Sequence, residues 1–304
     1  MKDYSRPLNN NLKVHDFLTR SLGMPSTRRL GDIVQQVVTA EKLIESTTTE
    51  ATLDHKVNRH PYYSTIEERK KLRKKIFGEL IKKKLLRNDD KIRLGYGGVL
   101  PEKLRGDRKA YIISGLPGSG KSHVASKVAE NCYAAIIDTD FAKRKFPEYK
   151  LPQGSTIVHK EAAKIMFEVG GDEPSVFEFM TRRGANLVIP KIGHDVQSVH
   201  KLREYLINKA NYKEVHLVTV SIDRDVATGR VLERFLKTGR YVPLGVVFDV
   251  FANEPTLTYY RSKNAQGWSS ISKLVWCSKS NELVWNEEPC INNPIKSLFE
   301  RRSY

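Results

Sequence analysis

Residues Gly115-Leu116-Pro117-Gly118-Ser119-Gly120-Lys121-Ser122 fit the pattern G-x-x-x-x-G-K-[ST], and few short stretches constrain a fold so tightly. Such a loop belongs between a buried strand and a helix, because its backbone N–H groups and the helix N-terminus must converge on one anion. Both flanks are present. Ala110-Tyr111-Ile112-Ile113 is a short apolar run that reads as a strand, and from Ser122 to Glu130 the residues Val124, Ala125 and Val128 recur at helical spacing. The loop therefore predicts a bound nucleoside triphosphate. Gly115, Gly118 and Gly120, with Leu116, Pro117 and Ser119 between them, let the backbone wrap the β-phosphate. Lys121 then reaches the β/γ oxygens, and the Ser122 hydroxyl ligates Mg²⁺.

Strand and helix signals alternate from Lys109 onward. Ala134-Ala135-Ile136-Ile137, Asn186-Leu187-Val188-Ile189 and Val215-His216-Leu217-Val218-Thr219-Val220 read as further strands with helical patterns between them. That alternation predicts an α/β fold of the P-loop NTPase type, a three-layer arrangement with a parallel sheet and ligands at the C-terminal ends of its strands. Near the end, Leu274 to Cys277 and Leu283 to Trp285 look like two short paired strands around Ser278-Lys279-Ser280-Asn281. Before residue 108 the pattern is helical, with one stripe through Leu30, Ile33, Val34, Val37 and Val38 and another through Leu72, Ile76, Leu80 and Ile81. Ser64 and Glu67 have the spacing of a capping box, so a helix should start there and run to about Arg87. We thus expect a helical N-terminal region over 1–107 and a P-loop domain over 108–304, a division that suits 304 residues.

The formal charge of +17 favours polyanions or acidic partner proteins. Much of it lies on the expected long helix, at Arg69, Lys70, Lys71, Arg73, Lys74, Lys75, Lys82, Lys83 and Lys84, without interleaved aromatic residues to stack on bases. Nucleic acid is accordingly the less favoured partner. The cysteines Cys132, Cys277 and Cys290 suit neither a disulfide framework nor a zinc site, and nothing approaches a membrane span or a secretory signal. An aqueous, reducing compartment such as the cytoplasm follows.

Asp138-Thr139-Asp140 ends the second strand where the γ-phosphate should lie. Asp140 is our choice for the base that accepts the proton of an attacking hydroxyl, and the alternative role for these aspartates is to hold Mg²⁺ through water. Arg230 and Arg234 share a helix face, with Arg240 just beyond, and repel unless an anion sits between them or Glu233 pairs with them. His159 and His194 lie near strand ends, within reach of a substrate.

In this order the blocks resemble the zeta-toxin family of P-loop kinases, over roughly residues 108 to 250. The loop at 115–122 matches the family's loop, and Ile137-Asp138-Thr139-Asp140-Phe141-Ala142-Lys143 with Phe146-Pro147-Glu148-Tyr149 looks like its catalytic-aspartate segment. The resemblance implies that Asp140 is the general base, that Glu161 in His159-Lys160-Glu161-Ala162 contacts the acceptor sugar, and that Arg230, Arg234 and Arg240 stabilise the transferring phosphoryl group. On the same footing Asp138, Lys143, Lys191 and His194 are expected at the acceptor, and Lys121, Asp140, Arg234 and Arg240 in catalysis. It further implies ATP or GTP with Mg²⁺ as cofactors, a nucleotide-linked acceptor, and an antitoxin or chaperone partner.

One stretch departs from the family pattern. Val188-Ile189-Pro190-Lys191-Ile192-Gly193-His194 has Pro190 and Ile192 where the family commonly carries a carboxylate and a hydroxyl that hold UDP-N-acetylglucosamine. A site that loses such partners loses selectivity for the sugar. The helical N-terminus and this turn look more like the branch represented by a bacterial type III effector that phosphorylates NAD. NAD is therefore the preferred acceptor, ahead of UDP-N-acetylglucosamine, in a toxin or effector kept in its own cell or secreted into a host. A nucleic-acid 5′-hydroxyl kinase and a non-catalytic, nucleotide-gated binding module are the alternatives.

Overall fold

The computed structural model describes residues 8–46, 50–151, 153–277, 282–286 and 293–300. Cys290 and the turn at 278–281 read above lie outside them. The strands are β1 (Lys109–Gly115), β2 (Ala135–Ile136), β3 (Leu187–Lys191), β4 (Glu214–Ser221), β5 (Ser270–Cys277) and β6 (Glu282–Trp285). The α-helices before the loop are α1 (Asn11–Asp16), α2 (Arg28–Ser46) and α3 (Ile66–Leu80). After it come α4 (Lys121–Cys132), α5 (Thr139–Lys143), α6 (Gly154–Ile157), α7 (His159–Phe167), α8 (Val176–Arg182), α9 (Val196–Asn208), α10 (Arg224–Thr238) and α11 (Glu254–Lys263).

Among the described residues the strands form one sheet in the order β2-β3-β1-β4-β5-β6, parallel except for β6. The α/β class and the parallel sheet expected from the alternation are thus present. Covered on both faces, β1 is buried from Ala110 to Gly115 and β4 from Val215 to Val220, which is why both are mostly apolar rather than alternating, with Ser114 and Thr219 hydrogen-bonded to each other between them. The C-terminal pair is antiparallel, with Trp276 opposite Leu283. Its first strand also extends back to Ser270 and pairs in parallel with β4, which the polar start Ser270-Ile271-Ser272-Lys273 concealed.

Three features of α3 differ from expectation. Its capping box is Thr65 with Glu68, one residue later than the Ser64 and Glu67 frame, and both reciprocal bonds are made. The helix stops at Leu80, because the carbonyls of Leu80 and Lys83 accept from Val99 and Leu100 of the returning chain. Gly98 permits that approach, since a Cβ there would lie 2.3 Å from the Lys83 carbonyl oxygen. Arg69, expected on the exposed basic face, is fully buried.

The apolar residues form two clusters. Leu72, Ile76 and Leu80 of α3 join the large one around the sheet. The α1 and α2 stripe, including Val14, Leu30, Val34 and Val37, packs instead on Val231, Leu232 and Phe235 of α10 and on Tyr241, Leu244, Val247 and Phe248 beyond it.

Candidate active site

The loop between β1 and α4 takes the shape its glycines allow. Gly118 and Gly120 have φ of 83° and 94°, in the left-handed region that glycine enters without strain. A Cβ on Gly118 would lie 2.3 Å from the Ala227 carbonyl oxygen, so α10 rests directly on the loop. Ser119 Oγ is buried without a hydrogen-bond partner, while Lys121 Nζ folds back and donates to the Leu116 carbonyl at 2.6 Å. Burial pushes the Lys121 ammonium down to about 8, with Arg234 adding and Asp138 and Asp140 opposing. The same four groups thus share one electrostatic field. Ser122, at the start of α4, is exposed.

The chain leaves β2 straight into α5, whose N-cap is Asp138; its carboxylate accepts from the Asp140 N–H at 2.9 Å. Burial, with Asp140 adding, raises Asp138 to about 6. Asp140 moves the other way. Burial opposes its ionisation, but Lys143 at 3.0 Å and Arg240 at 2.7 Å outweigh it, with Arg144 beyond, and hold the carboxyl well below the usual range. Arg144 itself is held by Asp89 and Asp90 at 3.0 and 3.1 Å.

Arg234 and Arg240 converge on this carboxylate from α10 and the turn that ends it, where Gly239 takes φ 71°. Among the described residues neither Nε has a hydrogen-bond partner, although both atoms are buried. Arg234 is pushed down by burial and by Arg240, against the pull of Asp140 and Asp90. Arg240 also lies 5.3 Å above the Tyr149 ring.

Of the expected acceptor residues, Lys143 stands at Asp140 and lines a recess of about 380 Å³ with Ala51, Ser155, Thr156, His159 and Lys160. Lys191 sits over the Phe167 ring at 4.7 Å, its charge disfavoured by burial and favoured by Asp138. His194 is exposed against the Phe251 ring. Glu161 has a different position from the one expected. Its carboxylate is fully buried and taken up by Arg69, by Arg73 at 2.9 Å and by the Thr52 hydroxyl at 2.7 Å. Arg230 is likewise apart from the aspartates, with its guanidinium 4.5 Å from the Trp276 ring and no Glu233 contact.

Sequence reasoning missed Arg69, Trp276 and the Arg144 clamp. Arg69 looked like one more cation in a basic run, whereas Tyr149 stood inside a quoted block without a role.

These residues fit a triphosphate with Mg²⁺. The cradle leaves no room for a Cβ at Gly115 or Gly118, Ser119 Oγ and two arginine Nε atoms are buried donors without acceptors among the described residues, and Ser122 is open at the helix N-terminus. Among the described residues no group of three or more His, Cys, Asp or Glu is placed to hold a metal. Mg²⁺ at Ser122 would therefore draw its other ligands from phosphate and water.

The family model for zeta toxins matches residues 100–258, just over half of the chain. A search of curated proteins found no match. Among solved structures, one from the PezAT chromosomal toxin–antitoxin system of the human pathogen Streptococcus pneumoniae is similar in fold. That likeness covers 77% of this chain and 85% of the other at 17% identity, with a TM-score of 0.51. A candidate kinase from Chloroflexus aurantiacus covers 46% of this chain and 77% of its own at 16% identity, with a TM-score of 0.31, too distant to add to the comparison. The chain belongs to the zeta toxin family, whose members are kinases of toxin–antitoxin systems.

Proposed function

We propose that the protein transfers the γ-phosphate of ATP or GTP to a hydroxyl of a nucleotide-linked metabolite, with NAD preferred over UDP-N-acetylglucosamine. The observation that carries this reading is the pair of half-buried arginines, Arg234 and Arg240, whose buried Nε atoms have no partner among the described residues, beside Asp140 and within the field of Lys121. A buried N–H of a cation left without an acceptor is costly unless an anion completes it, and a triphosphate supplies several oxygens that can.

Lys121 and the loop N–H groups hold the β- and γ-phosphate oxygens, while Arg234 and Arg240 neutralise charge on the transferring group. Mg²⁺, held through Ser122, would screen the phosphates. Asp140 receives the acceptor's hydroxyl proton. It can do so once a phosphate competes for Arg240, because losing that partner raises the proton affinity of the carboxylate. Lys143 and Lys160 bring positive charge to the adjoining recess, and His159, whose charged form is disfavoured by burial and by Lys143, adds a neutral hydrogen-bonding group, a lining that suits the phosphates of the acceptor. By analogy with its family, we further propose that a neutralising antitoxin or chaperone exists and that the protein arrests growth when made without it. Among the described residues no helix is long and apolar enough to cross a membrane.

The test is incubation with γ-labelled ATP and Mg²⁺ against separate NAD, UDP-N-acetylglucosamine and 5′-hydroxyl oligonucleotide pools, with Asp140→Asn alongside. Label on one metabolite, absent with the variant, is expected. Label only on the oligonucleotide would replace the metabolite acceptor by nucleic acid, and ATP binding with no transfer would favour a binding module.

A further inference from the structure

The strand order also says where the base of the nucleotide lies, granted the kinase reading above. Asp138 and Asp140 follow β2, on one flank of β1, and β4, β5 and β6 lie on the other. A γ-phosphate turned toward Asp140 sends the rest of the nucleotide away from β2, toward β5 and β6. Val275 pairs with Ser221 at the end of β4, so Trp276 lies just past that position at the sheet edge that carries the loop. Leu283, opposite Trp276, approaches the loop itself: its Cδ1 lies 3.5 Å from where a Cβ on Gly120 would stand.

A flat cation faces the ring there. Arg230 projects from the stretch of α10 that rests on the loop, between Ala227, which abuts Gly118, and Arg234. Its guanidinium lies 4.5 Å from the Trp276 ring centroid, and among the described residues it has no hydrogen bond or ion pair. Trp276 keeps part of its surface open. An arginine with no carboxylate partner among the described residues, held over an indole beside a phosphate loop, has the chemistry to stack on a nucleobase.

We propose that Arg230 and Trp276 form the base platform of this kinase, with Arg230 stacking on the purine and Trp276 positioning the guanidinium. Arg230 lies within the residues matched to the zeta toxin family and Trp276 outside them, on the C-terminal strand pair. Stacking reads the face of a base and not its edge, so ATP and GTP are both occupants.

The experiment compares Mg-ATP with Mg-tripolyphosphate, which has the phosphates and no base, on the full chain by calorimetry. Wild type is expected to bind ATP more tightly. In Trp276→Ala and Arg230→Ala, ATP should weaken about tenfold while tripolyphosphate holds, so that the preference collapses. Trp276→Phe, which keeps an aromatic face, should lie between and covers the case in which the alanine variant fails to fold. A preference for ATP that survives in every variant would overturn the platform, as would equal weakening of both ligands, which marks a purely structural contact. Wild type binding neither ligand would instead sink the kinase reading and this inference with it.

Discussion

Around Arg69 two arginines meet two glutamates; around Asp140 two lysines and two arginines gather on two aspartates, one of them pushed up to about 6. In the first cluster Arg69 donates to Glu148 at 2.6 Å and to Glu161, Arg73 reaches Glu161, and the His60 N–H adds a bond to Glu148. Glu148 Oε2 and Arg73 Nε remain without partners, but the formal charges cancel. The second cluster carries surplus positive charge in a buried setting. Balanced charge of this kind fastens α3 to α7 and to the segment around Glu148. Unbalanced charge in a cleft that is mostly buried yet open to solvent at Asp140 is a seat kept for an anion, and it costs stability while empty.

The sharpest way to break the contrast is Asp140→Asn, expected to lower kcat by about 10²–10⁴-fold in the labelled-ATP assay if Asp140 is the base. Retained transfer would remove it from that role. Arg69→Met should act on the fold: it strands two buried carboxylates and should cost about 3–5 kcal/mol in chemical denaturation. Arg69 and its partners hold Glu161 below the ordinary carboxylate range, against burial, so their contribution is present above that range and lost on acidification. The deficit of Arg69→Met should therefore narrow as pH falls, and a deficit independent of pH would contradict the charge account.

Arg234→Met inverts the pattern. It should lower kcat on the order of 10²-fold yet leave the melting temperature of the free protein unchanged or higher, because it removes a half-buried cation whose buried Nε–H has no acceptor among the described residues. A clear fall in melting temperature would make Arg234 a structural residue. Smallest is the pH effect on nucleotide binding. With Lys121 at about 8 in the free protein, phosphate binding must recapture a proton above that pH. ATP affinity should then fall up to about tenfold per unit, and Lys121→Arg should flatten the profile.

Much of the second cluster was legible in the sequence, because chemistry at a sheet edge leaves local marks. The glycine loop, the Asp138-Thr139-Asp140 step and the Arg234 and Arg240 spacing each fall within a few residues, and the fold brings them together as the alternation of strands and helices implies. Arg69 was not legible. Its partners stand 79 and 92 residues away, and nothing in a run of lysines marks the one arginine that turns inward. Glu161 was hidden for the same reason, since its motif matches a family pattern while its carboxylate answers to the N-terminal region. The end of α3 was set by a returning strand-like segment whose Gly98 made close approach feasible, a tertiary effect that helix periodicity does not contain. Trp276 shows the same limit, because its neighbour Arg230 comes from a helix 46 residues earlier in the chain.

The most direct test of the anion seat is the melting temperature of wild type and of Arg234→Met with and without Mg-ATP. Ligand that binds only the folded state at about a hundred times its Kd adds about 2.7 kcal/mol of stability. The account predicts a clear rise for wild type and a much smaller one for the variant. No rise for wild type, or the same rise in both, would contradict it.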